Sequence, residues 1–424
     1  MFSSVRYLSN VSSRLPATFD IAIVGGGTAG MNLAWKMGRY HKKLNIALIE
    51  PSSFHYYQPM WTLVGAGIKR IESSRSSMDD LTRNLRIVKL KDRAVQFIPE
   101  ENCVRLESRG LLRYNYLIVC TGIELDFERI KGIKDALQRD NVCSNYSVDT
   151  VEKTWKCLQA TKSGNAIFTF PNTPIKCAGA PQKIMYLADD HWRKTGRRDN
   201  IKIMFNSAGA GIFAVPKYAE SLNKVVANRG IQTNFRHNLI EIKGDENVAI
   251  FEHLDSGDKV SFEYDMIHIT PPQKPSPILA PIADQSGFVD VNKETLQHVK
   301  YENIFATGDC SNLPTSRTAA AVASQSDVLF WNLVNVLGGR KPSLKYDGYT
   351  SCPLITSYDK CILAEFDYDL KPKETFPIDQ GKERRSMFIV KTHLMPLLYW
   401  LLHVTGRWSG PGKLRKWLRL GLSD

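Results

Sequence analysis

The distribution of apolar and polar positions near the N-terminus predicts a buried strand followed by a helix. Four apolar residues at 21–24 run without interruption into a glycine-rich turn, GGGTAG, and the helical segment MNLAWKM follows. A second apolar run, LNIALIE, ends in the carboxylate of Glu50, twenty residues after Gly30. Continuous apolar strands are typical of a parallel sheet that is covered on both faces. The pattern therefore predicts an α/β fold.

The glycines between the first strand and helix have the spacing Gly25-x-Gly27-x-x-Gly30. In this arrangement the glycines provide a tight turn, close approach of the backbone to a pyrophosphate, and close packing of helix on sheet. The helix N-terminus offers N–H groups and a positive dipole end to the phosphates. Glu50 is placed to accept hydrogen bonds from a ribose. We therefore predict a dinucleotide site, with an unrelated glycine-rich turn as the alternative.

A second stretch, IKIMFNSAGAGIFAVPKYAE, repeats this arrangement with Gly209-x-Gly211-x-x-Ala214 after a strand and opening a helix. The next strand, IQTNFRH, carries Arg236 near its end and has no carboxylate for an NAD ribose, although Arg236 is suited to a 2′-phosphate. Pro216 within the first helical turns is also untypical. We interpret this stretch as a second Rossmann-like unit whose nucleotide site is vestigial, with a working NAD(P)H site as the alternative.

The eight cysteines are scattered along the chain and form no CxxC pair. This distribution argues against a metal site and against a disulfide-stapled scaffold. Cys177, in NTPIKCAGAPQK, and Cys352, in KYDGYTSCPLIT, stand out because proline-containing turns surround each of them. We expect both to lie on constrained loops, and the other six to be small buried residues.

The overall charge favours an acidic partner. Lysine and arginine number 56 against 43 acidic residues, which gives a formal charge of +13. The basic residues are dispersed, which argues against nucleic acid. Residues 1–18 contain two arginines, five serines and no acidic residue. This composition is typical of an organelle transit peptide.

The C-terminal segment has two apolar stretches. LMPLLYWLL, at 394–402, is too short to span a bilayer, and we expect Pro396 to break it. KLRKWLRLGL predicts an interfacial helix with apolar residues on one face and basic residues on the other. The two sets are Leu414, Trp417, Leu418 and Leu422, and Lys413, Arg415, Lys416 and Arg419. A membrane surface is the favoured partner, with an oligomer interface or a capping helix as alternatives.

Several of these segments resemble known flavoproteins. NIFATGDCSNLP, ending its strand in Gly308 and Asp309, and YNYLIVCTG are similar to fingerprints of flavoproteins with two dinucleotide-binding domains. More specific are EPSSFHYYQPMWTLVGAG, FTFPNTPIKCAGAPQKIMY, GDCSNLPTSRTAAAVASQ, YDGYTSCPLIT and ILAEFDY. Together they resemble the sulfide:quinone oxidoreductase family in its mitochondrial form, from about Phe19 to the C-terminus.

The resemblance implies an FAD enzyme in which Cys177 and Cys352 face each other across the flavin and carry the redox chemistry. Hydrogen sulfide, as HS⁻, would attack the bridged pair and leave a persulfide on Cys352 and a thiolate on Cys177, the cysteine nearer to the flavin. Two electrons would pass through FAD to ubiquinone. The sulfane sulfur would go to a small acceptor such as glutathione or sulfite.

The resemblance also implies a set of cofactor-binding residues. The pyrophosphate would lie against Gly26, Gly27, Thr28, Ala29 and Gly30. Glu50 would bind the adenosine ribose, Ala94 the adenine through its backbone, Gln58 would lie near the flavin, and Asp309 would bind the ribityl chain. Ala319 begins a helix whose positive end would approach the ring, although a run of alanines also follows from simple helix propensity. For the quinone slot the sequence offers only guesses, among them Phe366 and Phe388.

The expected organisation follows from these assignments. Residues 19–145 and 297–345 form the FAD domain, 146–296 the second Rossmann-like domain, and 346–424 a C-terminal redox-cysteine and membrane-attachment region. The expected location is the mitochondrial inner membrane, peripheral and on the matrix side. Two other functions stay open: an NAD(P)H:quinone dehydrogenase of the same fold, which would need a working second nucleotide site, and a non-catalytic flavoprotein.

Overall fold

The computed structural model describes residues 18–420. The predicted transit peptide, apart from Thr18, and Leu422 of the predicted tail helix fall outside the described residues. Within residues 18–420, two sheets built mainly or wholly from parallel strands are followed by a C-terminal hairpin and a set of helices. The predicted α/β class with two Rossmann-like units is confirmed.

The first sheet contains the strand and glycine turn that begin the sequence pattern. Phe19–Val24 lies in its centre and pairs in parallel with Ile46–Ile49 on one side and with Gly110–Val119 on the other. Ile304–Ala306, far along the chain, also pairs with Gly110–Val119. In the described chain the order is Val88–Leu90, Ile46–Ile49, Phe19–Val24, Gly110–Val119, Cys103–Leu106 and Ala94–Ile98. The strands that end at Val24 and Ala306 are both parallel to Gly110–Val119, so the turns that follow them lie at the same edge of the sheet.

The second sheet is wholly parallel, which fits its buried apolar strands. Its order is Val142–Cys143, Met266–His268, Gly164–Phe170, Ile201–Ser207 and Gln232–Phe235. An antiparallel sheet of His237–Lys243, Val248–His253 and Lys259–Glu263 follows it. Two small antiparallel pairs join Phe54–Tyr56 with Arg75–Ser77, and Glu124–Leu125 with Gln273–Lys274.

Helices cover both main sheets. The α-helices are Thr28–Tyr40, Trp61–Gly65, Met78–Thr82, Ile133–Ala136, Val151–Ala160, Ala180–Lys194, Pro216–Asn228, Ala319–Leu337, Arg385–Ile389, Met395–Leu398 and Gly412–Leu418. Short 3₁₀ turns are Gln58–Met60, Ile71–Ser74, Pro99–Glu101, Phe127–Arg129, Arg198–Asn200 and Pro277–Ile282. The first helix packs against Ala319–Leu337, so the two glycine-containing turns, near residues 27 and 308, lie side by side.

The C-terminal hairpin, Thr350–Ile355 with Cys361–Phe366, is buried along its whole length. A helical stretch from 385 to 403 follows, in which the π-helical turns Val390–Leu394 and Tyr399–His403 alternate with α-helix. Pro396 therefore does not break the stretch, contrary to expectation. The π turn before it rearranges the backbone hydrogen bonds around a residue that has no N–H.

This stretch has an unusual distribution of polarity. Its inner side buries Lys391, Tyr399 and His403, whereas its outer side carries apolar residues that are more than half exposed. The exposed residues are Ile389, Leu394, Leu397 and Leu401. Across residues 18–420, no helix has the length and apolarity required to cross a bilayer.

The last described helix, Gly412–Leu418, is amphipathic in a different sense from the prediction. Trp417 is 74% exposed, as expected, but Arg415 is buried and lies 5.0 Å from the ring centre of Tyr349. Arg419 donates to the carbonyl of Phe376 at 3.0 Å. Docking of this helix on the preceding region turns these two cations inward, and the prediction that both face a membrane is wrong.

Candidate active site

Two glycines of the first turn, Gly25 and Gly30, have no room for a side chain. Gly25 has φ +101°, and a Cβ there would lie 2.4 Å from the carbonyl oxygen of Cys120. A Cβ on Gly30 would lie 1.8 Å from the Gly25 carbonyl oxygen, because the helix packs directly on the strand end. The helix begins at Thr28, and no side chain caps its first N–H groups. Exposed N–H groups at a helix N-terminus are suited to a phosphate.

Glu50 is fixed beside this turn. One of its carboxylate oxygens accepts from the Gly26 N–H at 2.6 Å, and the other accepts from the Ser52 N–H at 2.7 Å. These bonds orient the carboxylate and leave each oxygen with a further lone pair for a hydroxyl donor. Glu50 therefore lies where the sequence places the ribose contact.

A chain of hydrogen bonds connects the glycine turn to the C-terminal helices. His55 contacts the Gly26 carbonyl through Nδ1 at 2.9 Å and the Tyr399 hydroxyl through Nε2 at 2.6 Å, and Tyr399 contacts the Thr28 hydroxyl at 2.9 Å. Burial lowers the pKa of His55 to about 4, so the ring is neutral at pH 7. Because a carbonyl accepts, Nδ1 carries the proton and Nε2 accepts from Tyr399. The hydroxyl of Thr28 then donates to Tyr399.

A cavity begins at this turn and extends to the cysteine loop. Seven of the twelve predicted site residues line it: Gly27, Thr28, Ala29, Gln58, Cys177, Asp309 and Ala319. The other five, Gly26, Gly30, Glu50, Ala94 and Cys352, lie outside the lining. Gly26 and Glu50 adjoin it through their mutual hydrogen bond. Phe366 and Phe388, guessed for a quinone slot, also lie outside the lining.

Ala94 lies at the start of the strand Ala94–Ile98, at the edge of the first sheet. It is buried and pairs with Leu106. The role of Ala94 at an adenine stays a prediction.

Asp309 lines the cavity together with two cations, Lys176 and Arg317. Burial raises the pKa of its carboxyl, which Arg317 and Lys176 partly offset. Among residues 18–420 its carboxylate accepts no hydrogen bond, although Arg317 donates to its backbone carbonyl at 3.0 Å. The following helix starts at Ala319, and its first residues line the same cavity. This helix end and Asp309 therefore face one space.

Cys177 has a strained backbone that fixes its thiol. Its φ is +54°, a conformation that costs about 1–3 kcal/mol in a residue other than glycine. Two bonds hold it: the Cys177 N–H donates to the Arg317 carbonyl at 2.8 Å, and the Ala180 N–H donates to the Cys177 carbonyl at 2.8 Å. Ala180 begins a helix with a proline in its first turn, a position where proline is favoured.

Cys352 lies inside the strand Thr350–Ile355 and is fully buried. The expectation of a loop position is therefore wrong for Cys352 and right for Cys177. The strand continues through Pro353 because its residues pair with Cys361–Phe366 in a two-stranded hairpin, where proline is tolerated. Gly179 allows the Cys177 loop to pack closely against this strand, since a Cβ on Gly179 would lie 2.4 Å from Leu354 Cδ2.

The thiols of Cys177 and Cys352 are close enough to shift each other's pKa. The Cys352 thiol, above all, holds the pKa of Cys177 well below its ordinary value, although burial raises it. The same contact, with burial, raises the pKa of Cys352 well above its ordinary value. The shared proton therefore belongs to Cys352, and Cys177 is the thiolate of the pair.

Two buried lysines surround this pair, and sequence reasoning missed both. Lys183 Nζ lies 3.2 Å from the Cys177 sulfur. Burial lowers the pKa of Lys183, but Cys177 and Cys352 outweigh that effect and raise it. Burial and the Lys183 charge lower the pKa of Lys391 to about 8. Lys183 lies six residues after Cys177, in the first turn of the helix Ala180–Lys194, and this spacing could have indicated a nearby cation. Lys391 comes from the distant C-terminal stretch.

Lys176, the chain neighbour of Cys177, contacts Gln58. Its ammonium donates to Gln58 Oε1 at 2.6 Å and lies 5.4 Å from the Trp61 ring centre. Burial lowers the pKa of Lys176 to about 8, although Asp309 opposes the shift. The indole N–H of Trp61 is buried at the cavity and has no partner within residues 18–420.

The second glycine motif is built differently from the first. The helix begins at Pro216, after a loop, so the motif glycines do not open it as predicted. The Arg236 side chain forms an ion pair with Asp255 at 2.6 Å, and the backbone N–H of Arg236 donates to the Gly209 carbonyl at 3.1 Å. The side chain of Gln182 bonds the Ile212 carbonyl at 2.9 Å. These internal contacts favour the interpretation of a vestigial nucleotide site.

Fold and site define a flavin-dependent oxidoreductase of the disulfide-reductase class. Residues 19–158 match the family model described as pyridine nucleotide-disulphide oxidoreductase. The chain belongs to the mitochondrial sulfide:quinone oxidoreductase family. It is 49% identical over 409 residues to "Sulfide:quinone oxidoreductase, mitochondrial" of Mus musculus, covering 96% of this chain and 90% of the relative. The chain is also 48% identical over 407 residues to the Dictyostelium discoideum protein of the same name, covering 95% of this chain and 89% of that relative.

A solved structure supports the fold. The sulfide:quinone oxidoreductase of Aquifex aeolicus superposes with a TM-score of 0.81 at 19% identity, over 95% of each chain. The mouse and Dictyostelium relatives confirm the family resemblance seen in the sequence motifs, and with the matching family model they confirm the assignment as an enzyme.

FAD is the cofactor of this class, and the residues present fit it. The uncapped helix end at Thr28 offers N–H donors for the pyrophosphate, while Glu50 offers a carboxylate for the ribose. The indole N–H of Trp61 is a buried polar group that needs a partner inside the cavity, and the half-buried carboxylate of Asp309 faces the same space.

Proposed function

We propose that this chain oxidises hydrogen sulfide with the Cys177–Cys352 pair and FAD, and passes two electrons to ubiquinone. The sulfane sulfur goes to a small acceptor such as glutathione or sulfite. The observation that carries the proposal is that these two thiols are close enough to shift each other's pKa, while Cys177 lines the cavity that begins at the dinucleotide turn.

In the oxidised pair, HS⁻ attacks the Cys352 sulfur. A bond forms between the sulfide sulfur and Cys352, the Cys177–Cys352 bond breaks, and Cys177 leaves as a thiolate. Cys177 is the better leaving group because its pKa is the lower of the two. The ammonium of Lys183, 3.2 Å away, stabilises the charge that appears on Cys177.

The acceptor then attacks the outer sulfur of the Cys352 persulfide. This step forms a bond between the acceptor and the sulfane sulfur and returns Cys352 as a thiolate. FAD, when bound, accepts two electrons from thiolate sulfur and delivers them to a quinone. The two cysteines thereby return to the bridged state, and ubiquinone takes up two electrons and two protons.

Lys183, Lys391 and Lys176 make the cysteine end of the cavity electropositive, which favours the entry of anionic sulfide and an anionic acceptor. With a pKa of about 8, Lys176 and Lys391 lose their charge as the pH rises through that value. The proposal therefore includes a weaker attraction for anions in alkaline solution.

We further propose that the enzyme is a peripheral protein of the mitochondrial inner membrane, on the matrix side. The exposed apolar side of residues 385–403 supports attachment to a bilayer, where ubiquinone is dissolved. Lys391 and Met395 belong to this stretch and also line the cavity, so a quinone that leaves the bilayer has a short path to the site.

The experiment mixes the FAD-loaded protein with a soluble ubiquinone analogue and offers either sulfide or NADH. We expect quinone reduction with sulfide, and none with NADH. Cys177→Ser and Cys352→Ser should each abolish the sulfide reaction, while Cys361→Ser, on the neighbouring strand, should retain it. Reduction by NADH alone would contradict the proposed activity. Full sulfide turnover in either cysteine variant would contradict the assigned pair.

A further inference from the structure

A cleft separate from the active-site cavity lies where the first helix meets the end of the C-terminal stretch. Lys36, Arg39 and Tyr40 line it from the helix Thr28–Tyr40. The remaining lining residues are Asp327, Phe330, Trp331, Gly406, Ser409 and Lys413. Cations and aromatic rings therefore dominate this surface.

One acidic side chain lies in the cleft, and its charge is already neutralised. Asp327 accepts from the Lys36 ammonium at 2.6 Å and from the Ser409 hydroxyl at 2.7 Å. Lys36 is buried in this pair. The pair is thus an internal structural contact, and the charge offered to a ligand comes from other residues.

Those other residues are three cations that lack acidic partners. Arg39 and Lys413 line the cleft, and the exposed Arg407 adjoins it because it follows Gly406 of the lining. Among residues 18–420, Arg39, Arg407 and Lys413 form no ion pair with a carboxylate. Arg39 is held in place by a hydrogen bond to the Thr405 carbonyl and lies 4.9 Å from the Trp35 ring centre. Burial and the charge of Arg407 both lower the pKa of Arg39. Uncompensated cations at such close range favour an anion between them.

The cleft is continuous with the exposed apolar surface. The loop that carries Arg407 follows the last turn of the helical stretch, which contains Leu401 and Leu402. These two leucines are 55% and 38% exposed, and the backbone N–H of Arg407 donates to the Leu402 carbonyl at 2.7 Å. On the other side, Tyr40 and Trp331 are 53% and 38% exposed and form an edge-to-face pair at 5.5 Å. Tyrosine and tryptophan favour the level of lipid headgroups.

We propose that this cleft binds the phosphate-bearing headgroup of an anionic phospholipid, with Arg39, Arg407 and Lys413 as the phosphate ligands. The inference rests on the membrane attachment proposed above and adds a lipid preference to it. A lipid is favoured over a soluble phosphate compound because apolar and aromatic side chains that suit acyl chains border the cations on both sides. Binding of the headgroup strengthens attachment of the protein to anionic membranes and leaves the chemistry at the cysteines unchanged.

The test compares binding of the FAD-loaded full chain to vesicles of phosphatidylcholine alone and to vesicles that also contain phosphatidylglycerol, at constant ionic strength. The wild type should bind both and prefer the anionic vesicles. In the double variant Arg407→Gln/Lys413→Gln, binding to anionic vesicles should fall by about five-fold for each cation removed, and binding to neutral vesicles should persist. Sulfide-dependent reduction of a soluble quinone should be unchanged.

The matched control removes two exposed cations far from the cleft, in Lys202→Gln/Lys259→Gln. An equal loss in this control would show a diffuse charge effect and overturn the site. An unchanged preference in the cleft variant would also overturn it. Saturable binding of glycerol phosphate that is lost in the cleft variant, without any vesicle preference, would replace the lipid with a soluble ligand. If the wild type binds neither kind of vesicle, the proposed membrane attachment itself is wrong.

Discussion

The ammonium of Lys183 lies 3.2 Å from the sulfur of Cys177, in the first turn of the helix that follows the cysteine loop. Lys183 is buried and Cys177 is partly buried, so little water screens the attraction between them. This contact gives the thiolate of the Cys177–Cys352 pair a fixed cationic partner.

Replacement of this lysine should shift the pH dependence of the enzyme. Lys183→Gln removes a charge that helps to lower the pKa of Cys177, so the pKa of the thiol rises. The acid limb of the pH–rate profile for sulfide oxidation should therefore move to higher pH. Lys183→Arg should keep most of the wild-type profile. The control is Lys194→Gln, at the other end of the same helix, where an unchanged profile is expected. A shift that is equal in Lys194→Gln would contradict the local role of Lys183.

The hydroxyl of Tyr399 should contribute to retention of FAD. Tyr399→Phe leaves Nε2 of His55 and the hydroxyl of Thr28 without their buried partner, at a cost of about 1–3 kcal/mol. Because both partners contact the glycine turn, we expect weaker FAD binding, measured by flavin fluorescence on dilution or heating. Tyr264→Phe is the matched control, since the hydroxyl of Tyr264 has no partner within residues 18–420. Equal FAD affinity in Tyr399→Phe and wild type would show that the C-terminal stretch does not support the turn.

Stability should fall in mild acid because several histidines are buried in neutral form. Burial lowers the pKa of His55 to about 4 and those of His268 and His403 to about 3, from an ordinary 6.5. The unfolded chain binds protons as the pH falls below about 6.5, whereas the folded chain does not, so stability is full above that pH and declines toward pH 4. His55 alone accounts for about 3 kcal/mol at the low end of this range. Thermal unfolding between pH 8 and pH 5 measures the decline. A melting temperature that stays constant across that interval would contradict these assignments.

The exposed leucines of the 385–403 stretch should control membrane attachment. Leu397→Glu/Leu401→Glu places charge on the apolar side, and we expect flotation with phosphatidylcholine vesicles to be lost while reduction of a soluble quinone continues. Leu111→Glu is the control, because Leu111 is similarly exposed on the first sheet. Deletion of the stretch is a poorer test, since it also removes Lys391 and Tyr399 from the active site. Unchanged flotation in the double variant would exclude this surface.

The sequence by itself determined the parts of the site that local backbone geometry creates. A strand, the glycine spacing 25–30 and a helix form one continuous unit, and Glu50 follows at the end of the neighbouring strand because parallel strands end at the same edge. The loop position of Cys177, between a strand and a proline-started helix, was predictable for the same reason. The long motifs surrounding these residues were enough to indicate the family.

Tertiary packing decided what surrounds the sulfurs. The burial of Cys352, the charges of Lys183 and Lys391, and the link from His55 to Tyr399 depend on how the hairpin and C-terminal helices dock on the two sheets. A helix pattern shows which side is apolar, but it does not show which side faces the protein: residues 385–403 bury polar groups and expose leucines, and Arg415 turns inward onto an aromatic ring. Contacts between residues hundreds of positions apart are fixed by the packing of whole elements, and the periodicity of a single segment carries no record of that packing.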